Sequence, residues 1–264
     1  MISEMFAHGF IQRAFIGGVL VSLCAALLGV SLVLKRYSMI GDGLSHVSFG
    51  ALSIAIALGF APIKFSIPIV IIAAFFLLRL AENGKMKSDA AIAMVSASSL
   101  AIGVIVTSLT TGLSTDVCSY MFGSILAMSK DDVIFSVVLS VVVLIMFGFC
   151  YHRIFAVTFD ESFSKATGVK VGMYNTLISI FTAVTVVLGI KMMGAMLISS
   201  LIIFPALTSM RVFKSFLSVT ICSAILAVIN FTAGLLFQFL PEQALLLLIC
   251  VCLLYFALLE IWHF

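Results

Sequence analysis

Long apolar runs, separated by short stretches that carry charge, glycine or proline, recur from one end of the chain to the other. A run of about 18 or more apolar residues is long enough for an α-helix to cross a bilayer. The pattern predicts an all-α polytopic membrane protein with eight to nine transmembrane helices. The candidate spans are 13–34, 39–59, 63–81, 89–111, 132–150, 172–190, 193–211, 215–237 and 243–262. Because 39–59 and 193–211 are the least regular, eight full spans and one re-entrant piece fit equally well.

Two features interrupt the alternation of spans and loops. Residues 112–131 are too short and too polar to span the bilayer but too apolar for a plain loop, which predicts a short re-entrant segment. Pro205 lies inside 193–211 and removes the hydrogen bond to the Leu201 carbonyl, so we expect a kinked or broken helix there. The neighbouring hydroxyls that could satisfy the freed backbone groups are those of Ser199, Ser200, Thr208 and Ser209.

The connection 151–172 is the longest hydrophilic one. Its apolar side chains recur every three to four residues, which predicts a short amphipathic helix that ends near Gly168. One interpretation is a helix lying on the lipid interface. The other is a coupling helix that docks on a cytosolic motor protein. Adjacent acidic residues favour docking, because they gain nothing from anionic headgroups. The predicted coupling residues are Phe159, Asp160, Glu161, Phe163, Ala166 and Gly168.

The composition agrees with a protein that lies almost wholly in the membrane. Of the 264 residues, 63% are hydrophobic and 9% are charged, against about 25% charged in soluble domains. No polar stretch is long enough for a separate soluble domain, so we expect one transmembrane domain over 1–264. The six cysteines form no CxxC pair, and no basic run indicates nucleic-acid binding.

The basic residues predict the orientation of the chain in the membrane. If the loop after the first span is cytoplasmic, the outside carries only Arg13, Lys64, Lys130 and Lys191. This arrangement obeys the positive-inside rule and places the N-terminus outside. With eight spans, one end of the chain would change sides. In the nine-span arrangement, the inside holds Lys35, Arg36, Arg79, Lys85, Lys87, Arg153, Lys165, Lys170, Arg211 and Lys214.

The candidate chemistry lies in the second span, where Asp42 and His46 are four residues apart. On a helix these two side chains project from one face, one turn apart. A carboxylate and an imidazole together can bind a divalent transition metal, and charge at membrane depth is costly unless it is functional. The alternative is that Asp42 caps the helix. Two ligands are few for zinc, so Asp116 and Glu242 are further pathway candidates.

Four segments resemble the permease subunits of bacterial zinc, manganese and iron ABC importers. The signature segment of that family resembles KRYSMIGDGLSHVSFGALSIAI, and the likeness continues in DVCSYMFGSILAMSKDD, FDESFSKATGVKVGMYNTL and KMMGAMLISSLIIFPALTSMR. The likeness leans toward the zinc-uptake members. Many relatives carry a larger residue than Gly43, and Val47, Ser48 and Phe49 replace a proline-containing or small-residue stretch.

The resemblance implies a complete transport system. The permease would form a homodimer in the bacterial cytoplasmic membrane, above two cytosolic ATP-binding subunits, with an extracellular metal-binding lipoprotein delivering the ion. The family's metal-contacting aspartate and histidine fall on Asp42 and His46, and its coupling segment falls on 159–168. No G-x-x-x-x-G-K-[ST] loop is present, so ATP hydrolysis belongs to a separate chain. No cofactor is expected to stay bound; the ion is cargo.

The function predicted from the sequence is therefore transport rather than catalysis. The chain would move a divalent metal ion, with Zn²⁺ favoured and Mn²⁺ next. Within transport, a proton-coupled secondary carrier that uses Asp42 and a permease for an iron chelate remain alternatives. An intramembrane hydrolase is a different class, but neither HExxH nor a second deep aspartate is evident.

Overall fold

The computed structural model describes residues 9–37, 39–82, 88–110 and 130–237, and the described part is built from α-helices without a strand. Most of these helices are apolar around much of their surface, as expected where lipid rather than water surrounds them. The helices are α1 Gly9–Leu34, α2 Ile40–Ala57, α3 Pro62–Glu82, α4 Ser88–Thr110, α5 Lys130–Phe159, α6 Glu161–Ala166, α7 Val171–Met193, α8 Ala195–Val212 and α9 Phe216–Phe237.

The helices follow the predicted spans closely. Seven of them are long and apolar enough to cross a membrane, and α3 has a shorter apolar part, Pro62–Leu77. The least regular predicted spans, 39–59 and 193–211, form the continuous helices α2 and α8. The predicted re-entrant segment 112–131 lies almost entirely outside the described residues, and the predicted ninth span 243–262 lies wholly outside them.

The fifth span is longer than predicted. Helix α5 continues through Tyr151 to Phe159, so the first nine residues of the predicted connection 151–172 are helical. No glycine or proline interrupts this stretch. Its buried side chains, Ile154 and Val157, pack into the protein, and the Phe155 ring lies 4.9 Å from the Phe216 ring of α9. At 1.5 Å per residue α5 is about 45 Å long, which exceeds the hydrocarbon thickness of a bilayer.

Helix α7 lies at the centre of the bundle. It packs against α1, α2, α3, α5, α6 and α8, and every residue from Phe181 to Ile190 is buried. The main hydrophobic core takes side chains from α1, α2, α3, α5, α7 and α8 and also from α4 and α9. Helix α2 packs most extensively on α4 and also contacts α3, α7 and α8. The helix that carries Asp42 and His46 is thus held on several sides.

One end of the bundle gathers several helix termini and is called the basic end here. Val33 near the end of α1 packs with Met210 near the end of α8 and Phe216 at the start of α9. Lys35, just after α1, contacts Glu161 of α6, so α6 lies at the same end. The basic residues that these termini and connections carry are Lys35, Arg36, Arg153, Lys165, Lys170, Arg211 and Lys214. All of them belong to the group predicted to face the cytoplasm.

Helix α8 continues through Pro205 without the predicted break. The hydroxyls expected to satisfy the freed Leu201 carbonyl bond elsewhere. Ser199 donates to the carbonyl of Ala195, and Ser209 donates to that of Pro205 at 2.7 Å. These bonds, each to the residue four positions earlier, leave the turns on both sides of the proline helical.

Candidate metal centre

Asp42 and His46 lie in the first two turns of α2. The N-cap residue is Met39, whose side chain makes no capping hydrogen bond, and Asp42 is the third helical residue. Among the described residues, the Asp42 carboxylate has one recorded partner, the His46 imidazole, with Oδ2 and Nε2 3.8 Å apart. The structure therefore gives Asp42 a place in the first turn, where the helix dipole favours its charge, but not the role of N-cap.

The pair faces a gap between two neighbouring helices. Gly41 and Ser45 face α8: the Ser45 hydroxyl lies 3.1 Å from that of Ser199. Gly43 faces α4, where an added Cβ would lie 2.6 Å from Ile92 Cγ2. At 100° per residue, Asp42 and His46 project between these two contact faces. Their side chains are accordingly 44% and 23% exposed in the single chain.

The pair lies alongside the middle of α8 and not at an end of the bundle. Gly41, which precedes Asp42, packs on Ile202, whose Cδ1 would be 3.1 Å from an added Cβ. Ile202 is ten residues from the last residue of α8, which corresponds to about 15 Å along the helix. Gly29 of α1 meets the Ile202 carbonyl at the same level. Helix α2 therefore begins well inside the bundle, and the Asp42 carboxylate lies at that depth.

The two ligand atoms can share one ion. Because zinc lies about 2.1 Å from carboxylate oxygen and imidazole nitrogen, two tetrahedral ligands are about 3.4 Å apart. The observed 3.8 Å needs only a small side-chain rotation to reach that separation. Ser45 is occupied, since its hydroxyl donates to the Asp42 carbonyl at 2.8 Å. This bond and the contact with Ser199 give Ser45 a packing role between α2 and α8.

The single chain supplies only this pair. No group of three or more His, Cys, Asp or Glu that could hold a metal occurs within the described ranges. Asp116 and Glu242, the further pathway candidates, lie outside those ranges, so the structure does not place them. Within the described ranges, the pair therefore has no third His, Cys, Asp or Glu ligand beside it.

The predicted amphipathic helix is present as α6. The Asp160 carboxylate accepts a hydrogen bond from the Phe163 N–H at 2.9 Å, which makes Asp160 the N-cap. Gly168 closes the helix with φ +82°, in a Schellman motif in which the Val169 N–H donates to the Ser164 carbonyl. The phenylalanines are the exposed side: Phe159 is 72% and Phe163 is 65% exposed. Ala166 is exposed beside them.

Glu161 forms its hydrogen bonds within the bundle. Its carboxylate accepts hydrogen bonds from Lys35 Nζ at 2.8 Å and from Asn175 Nδ2 at 3.1 Å. Lys35 also donates to the Asn175 side-chain oxygen. Burial works to raise the pKa of the Glu161 carboxyl. The hydrogen bonds from Lys35 and Asn175 and the positive charges of Lys35 and Lys165 outweigh burial, so the pKa lies below its ordinary value.

Sequence reasoning counted Lys35 only as a loop charge and did not single out Asn175. The signal for Asn175 was available, because an amide four residues into an apolar span needs a buried partner. Ser199 was named only as a neighbour of Pro205, yet it is the residue that meets Ser45 across the α2–α8 contact. A pairing across helices far apart in sequence leaves no local signal.

The comparisons with known proteins agree with this architecture. The model of the ABC 3 transport family matches residues 7–263. The high-affinity zinc uptake system membrane protein ZnuB of Buchnera aphidicola is 30% identical over 222 residues, which are 84% of this chain and 85% of that protein. The manganese import system permease protein ScaB of Streptococcus gordonii is 28% identical over 217 residues, 82% of this chain and 78% of that one.

A solved structure extends the agreement to the fold. The structure of PsaBC from Streptococcus pneumoniae in complex with Fab matches with a TM-score of 0.85 at 25% identity. The match covers 98% of this chain and 95% of the other. The chain therefore belongs to the ABC 3 transport family, and it is a multi-pass permease of the metal ABC importers in the inner membrane.

Proposed function

We propose that this chain is the membrane-spanning subunit of an ATP-driven importer that carries a divalent transition metal ion from an extracellular binding protein to the cytoplasm. Zn²⁺ is the favoured ion and Mn²⁺ the next. Imidazole suits zinc, and a given set of nitrogen and oxygen ligands usually binds Zn²⁺ more tightly than Mn²⁺. The relatives named for zinc and for manganese uptake are almost equally similar in sequence, so they do not separate the two ions.

The observation that carries the proposal is the position of the Asp42–His46 pair. The two ligand atoms are 3.8 Å apart, halfway along α8, on a side of α2 that neither α4 nor α8 covers. One carboxylate and one neutral imidazole hold a divalent ion weakly when water completes the coordination. Weak binding suits transport, because a site of four protein ligands would release its ion slowly.

A homodimer completes this arrangement in the proposed transporter. The uncovered face between α4 and α8 would turn toward the same face of a second copy, so that two Asp42–His46 pairs line one path. Helix α4 supports this proposal, since its outer side carries exposed Met94, Ile102 and Ile105 that need lipid or protein against them. The binding protein would deliver the ion at the end of the bundle opposite the basic end.

ATP enters the proposed cycle through α6. The exposed Phe163 side chain of α6 and the exposed Phe159 side chain at the end of α5, with Ala166 and the chain reversal at Gly168, form an apolar projection at the basic end. Such a projection fits a groove on a cytosolic ATP-binding subunit. Closure of two such subunits on ATP would move α6 and open the path from Asp42 and His46 toward the cytoplasm.

The test is reconstitution of the chain in proteoliposomes with its ATP-binding subunit and its binding protein. We expect radioactive zinc to accumulate only when ATP is supplied, and more of it than radioactive manganese at equal concentration. Accumulation driven by a proton gradient without ATP would instead identify a secondary carrier. Accumulation of an iron chelate, with free ions excluded, would identify a chelate permease.

A further inference from the structure

A buried polar network joins three elements at the basic end. Lys35 belongs to the connection between α1 and α2, Glu161 is the first residue of α6, and Asn175 lies in the second turn of α7. Lys35 Nζ lies 2.8 Å from Glu161 Oε1 and also donates to the Asn175 side-chain oxygen, and Asn175 Nδ2 donates to Glu161 at 3.1 Å. Each member therefore contacts both others, and these three residues are called the Lys35 network.

The network stabilises the buried ammonium group of Lys35, which would be costly to bury without partners. The Lys35 side chain is only 6% exposed, and an ammonium group out of water requires a counter-charge and hydrogen-bond acceptors. Glu161 supplies the charge and Asn175 supplies the second acceptor. Glu161 remains 41% exposed, so the network reaches from the bundle interior to the surface on which α6 lies.

Helix α6 has few other attachments to the bundle. Among its residues only Ser164 is buried, and most of the others, including Phe163, are exposed. Asp160 is used internally as the N-cap. Glu161 is the side chain of α6 that hydrogen-bonds to α7 and to the residue that follows α1.

The connection from Lys35 to α2 is short, and hydrogen bonds tie its described residues to α1 and to the start of α2. The Tyr37 N–H donates to the Leu32 carbonyl and the Arg36 N–H to that of Val33, with Arg36 at φ +60°, which is a Schellman motif. The Ile40 N–H then donates to the Tyr37 carbonyl, at the first residue of α2. A connection fixed in this way transmits displacement instead of absorbing it.

We propose that the Lys35 network is a mechanical link that passes the movement of α6 to the first turn of α2 and so positions Asp42 for holding or releasing the metal ion. Asp42 is the third residue of α2. Along α1, Lys35 lies about 9 Å beyond Gly29, and Gly29 marks the level at which α2 begins. Lys35, Glu161 and Asn175 act as positioning residues, because none of them touches the ion. The proposal rests on the proposed function, in which α6 receives the movement of the ATP-binding subunits.

The experiment measures how many ions are transported per ATP hydrolysed. The complete transporter is reconstituted in proteoliposomes, and radioactive zinc uptake and phosphate release are recorded for wild type, Glu161→Gln, Lys35→Gln and the double variant. We expect each single variant to hydrolyse ATP while the ratio of zinc transported to ATP hydrolysed falls about five-fold or more. The double variant should lose no more than either single one, because the link is already broken.

Lys170→Gln is the matched control, since Lys170 is an exposed lysine at the start of α7 on the same end. Its ratio should equal that of wild type. If Glu161→Gln fails to assemble, Glu161→Asp keeps the charge on a shorter side chain, and its ratio should lie between those of wild type and Lys35→Gln. The proposal would be overturned if the ratio were unchanged both in Lys35→Gln and in the variant tested at position 161, Glu161→Gln or Glu161→Asp. The network would then be a static brace. Failure of the wild type to take up zinc would instead count against the proposed function.

Discussion

Substitution of Gly29 by alanine tests whether close packing of α1 on α8 sets the level of the candidate metal pair. A Cβ at position 29 would lie 2.0 Å from the carbonyl oxygen of Ile202, where 3.4 Å begins ordinary contact. The obstacle is backbone, so no side-chain rotation relieves it. The two helices must separate locally by about 1.4 Å, which breaks the close packing on which the interior depends.

The free-energy cost of this separation can be judged from substitutions that add a methyl group to a packed interior. Inserting a methyl group into a well-packed interior typically costs about 1–3 kcal/mol, and backbone contacts lie at the upper end. For a protein of this size each kcal/mol lowers Tm by about 2–4 °C, so we expect a fall of about 2–12 °C. Displacement of α8 also strains the Ser45–Ser199 contact beside Asp42, and zinc uptake should fall with it.

The assay is thermal unfolding of the detergent-solubilised protein, followed by size-exclusion chromatography of heated samples. Gly148→Ala is the matched control, because Gly148 also lies inside a long helix but an added Cβ there meets nothing within 4 Å. The control should keep the wild-type uptake, and its Tm should equal or slightly exceed the wild-type value, because alanine forms helix more readily than glycine. Equal Tm values for Gly29→Ala and Gly148→Ala would refute the packing argument.

Two further predictions concern the basic end. Arg36 has φ +60°, a conformation that costs a residue with a side chain about 1–2 kcal/mol. Arg36→Gly should therefore unfold at a higher temperature than Arg36→Val, although both variants lose the same charge. The reverse order in a thermal scan would contradict this account of the connection. The lowered pKa of Glu161 stabilises the folded state at pH values above the ordinary glutamate pKa, and the stabilisation is lost as pH falls through the folded pKa. The Tm difference between wild type and Glu161→Gln should therefore be constant near neutral pH and shrink in acid, and a difference independent of pH would rule out a charge effect.

The sequence predicted the elements that depend on local pattern. Apolar run lengths located the described helices to within a few residues, apart from the longer C-terminal end of α5, and the spacing of Asp42 and His46 predicted that both would share one face of α2. The end of α6 near Gly168 was likewise predicted, because a left-handed C-terminal residue is a local feature, but its start was not, since the preceding turns belong to α5. These features depend on neighbours in the chain, which the sequence displays directly.

The sequence could not show what depends on contacts between distant segments. Lys35 and Glu161 are 126 positions apart, and no local pattern distinguishes a paired buried lysine from a loop lysine. Glu161 was interpreted with Asp160 as an acidic docking face, whereas one residue caps the helix and the other pairs with Lys35. The depth of Asp42 also required the structure, because it depends on Gly41 and Gly29 both packing against Ile202.

The central claim is that Asp42 and His46 hold the transported ion. The direct test is radioactive zinc and manganese uptake in cells depleted of their own uptake system, expressing this chain with its ATP-binding subunit and binding protein. Asp42→Asn and His46→Ala would be compared at matched membrane abundance. Asp131→Asn and His152→Ala are the controls: an aspartate in the first turn of α5 and an exposed histidine on the same helix.

The account predicts that uptake is lost in both Asp42→Asn and His46→Ala while assembly with the ATP-binding subunit persists, and that both controls transport normally. The ion whose uptake falls to the greater extent in these variants is the cargo. Normal uptake in Asp42→Asn and His46→Ala would contradict the account and make the pair a packing feature of α2.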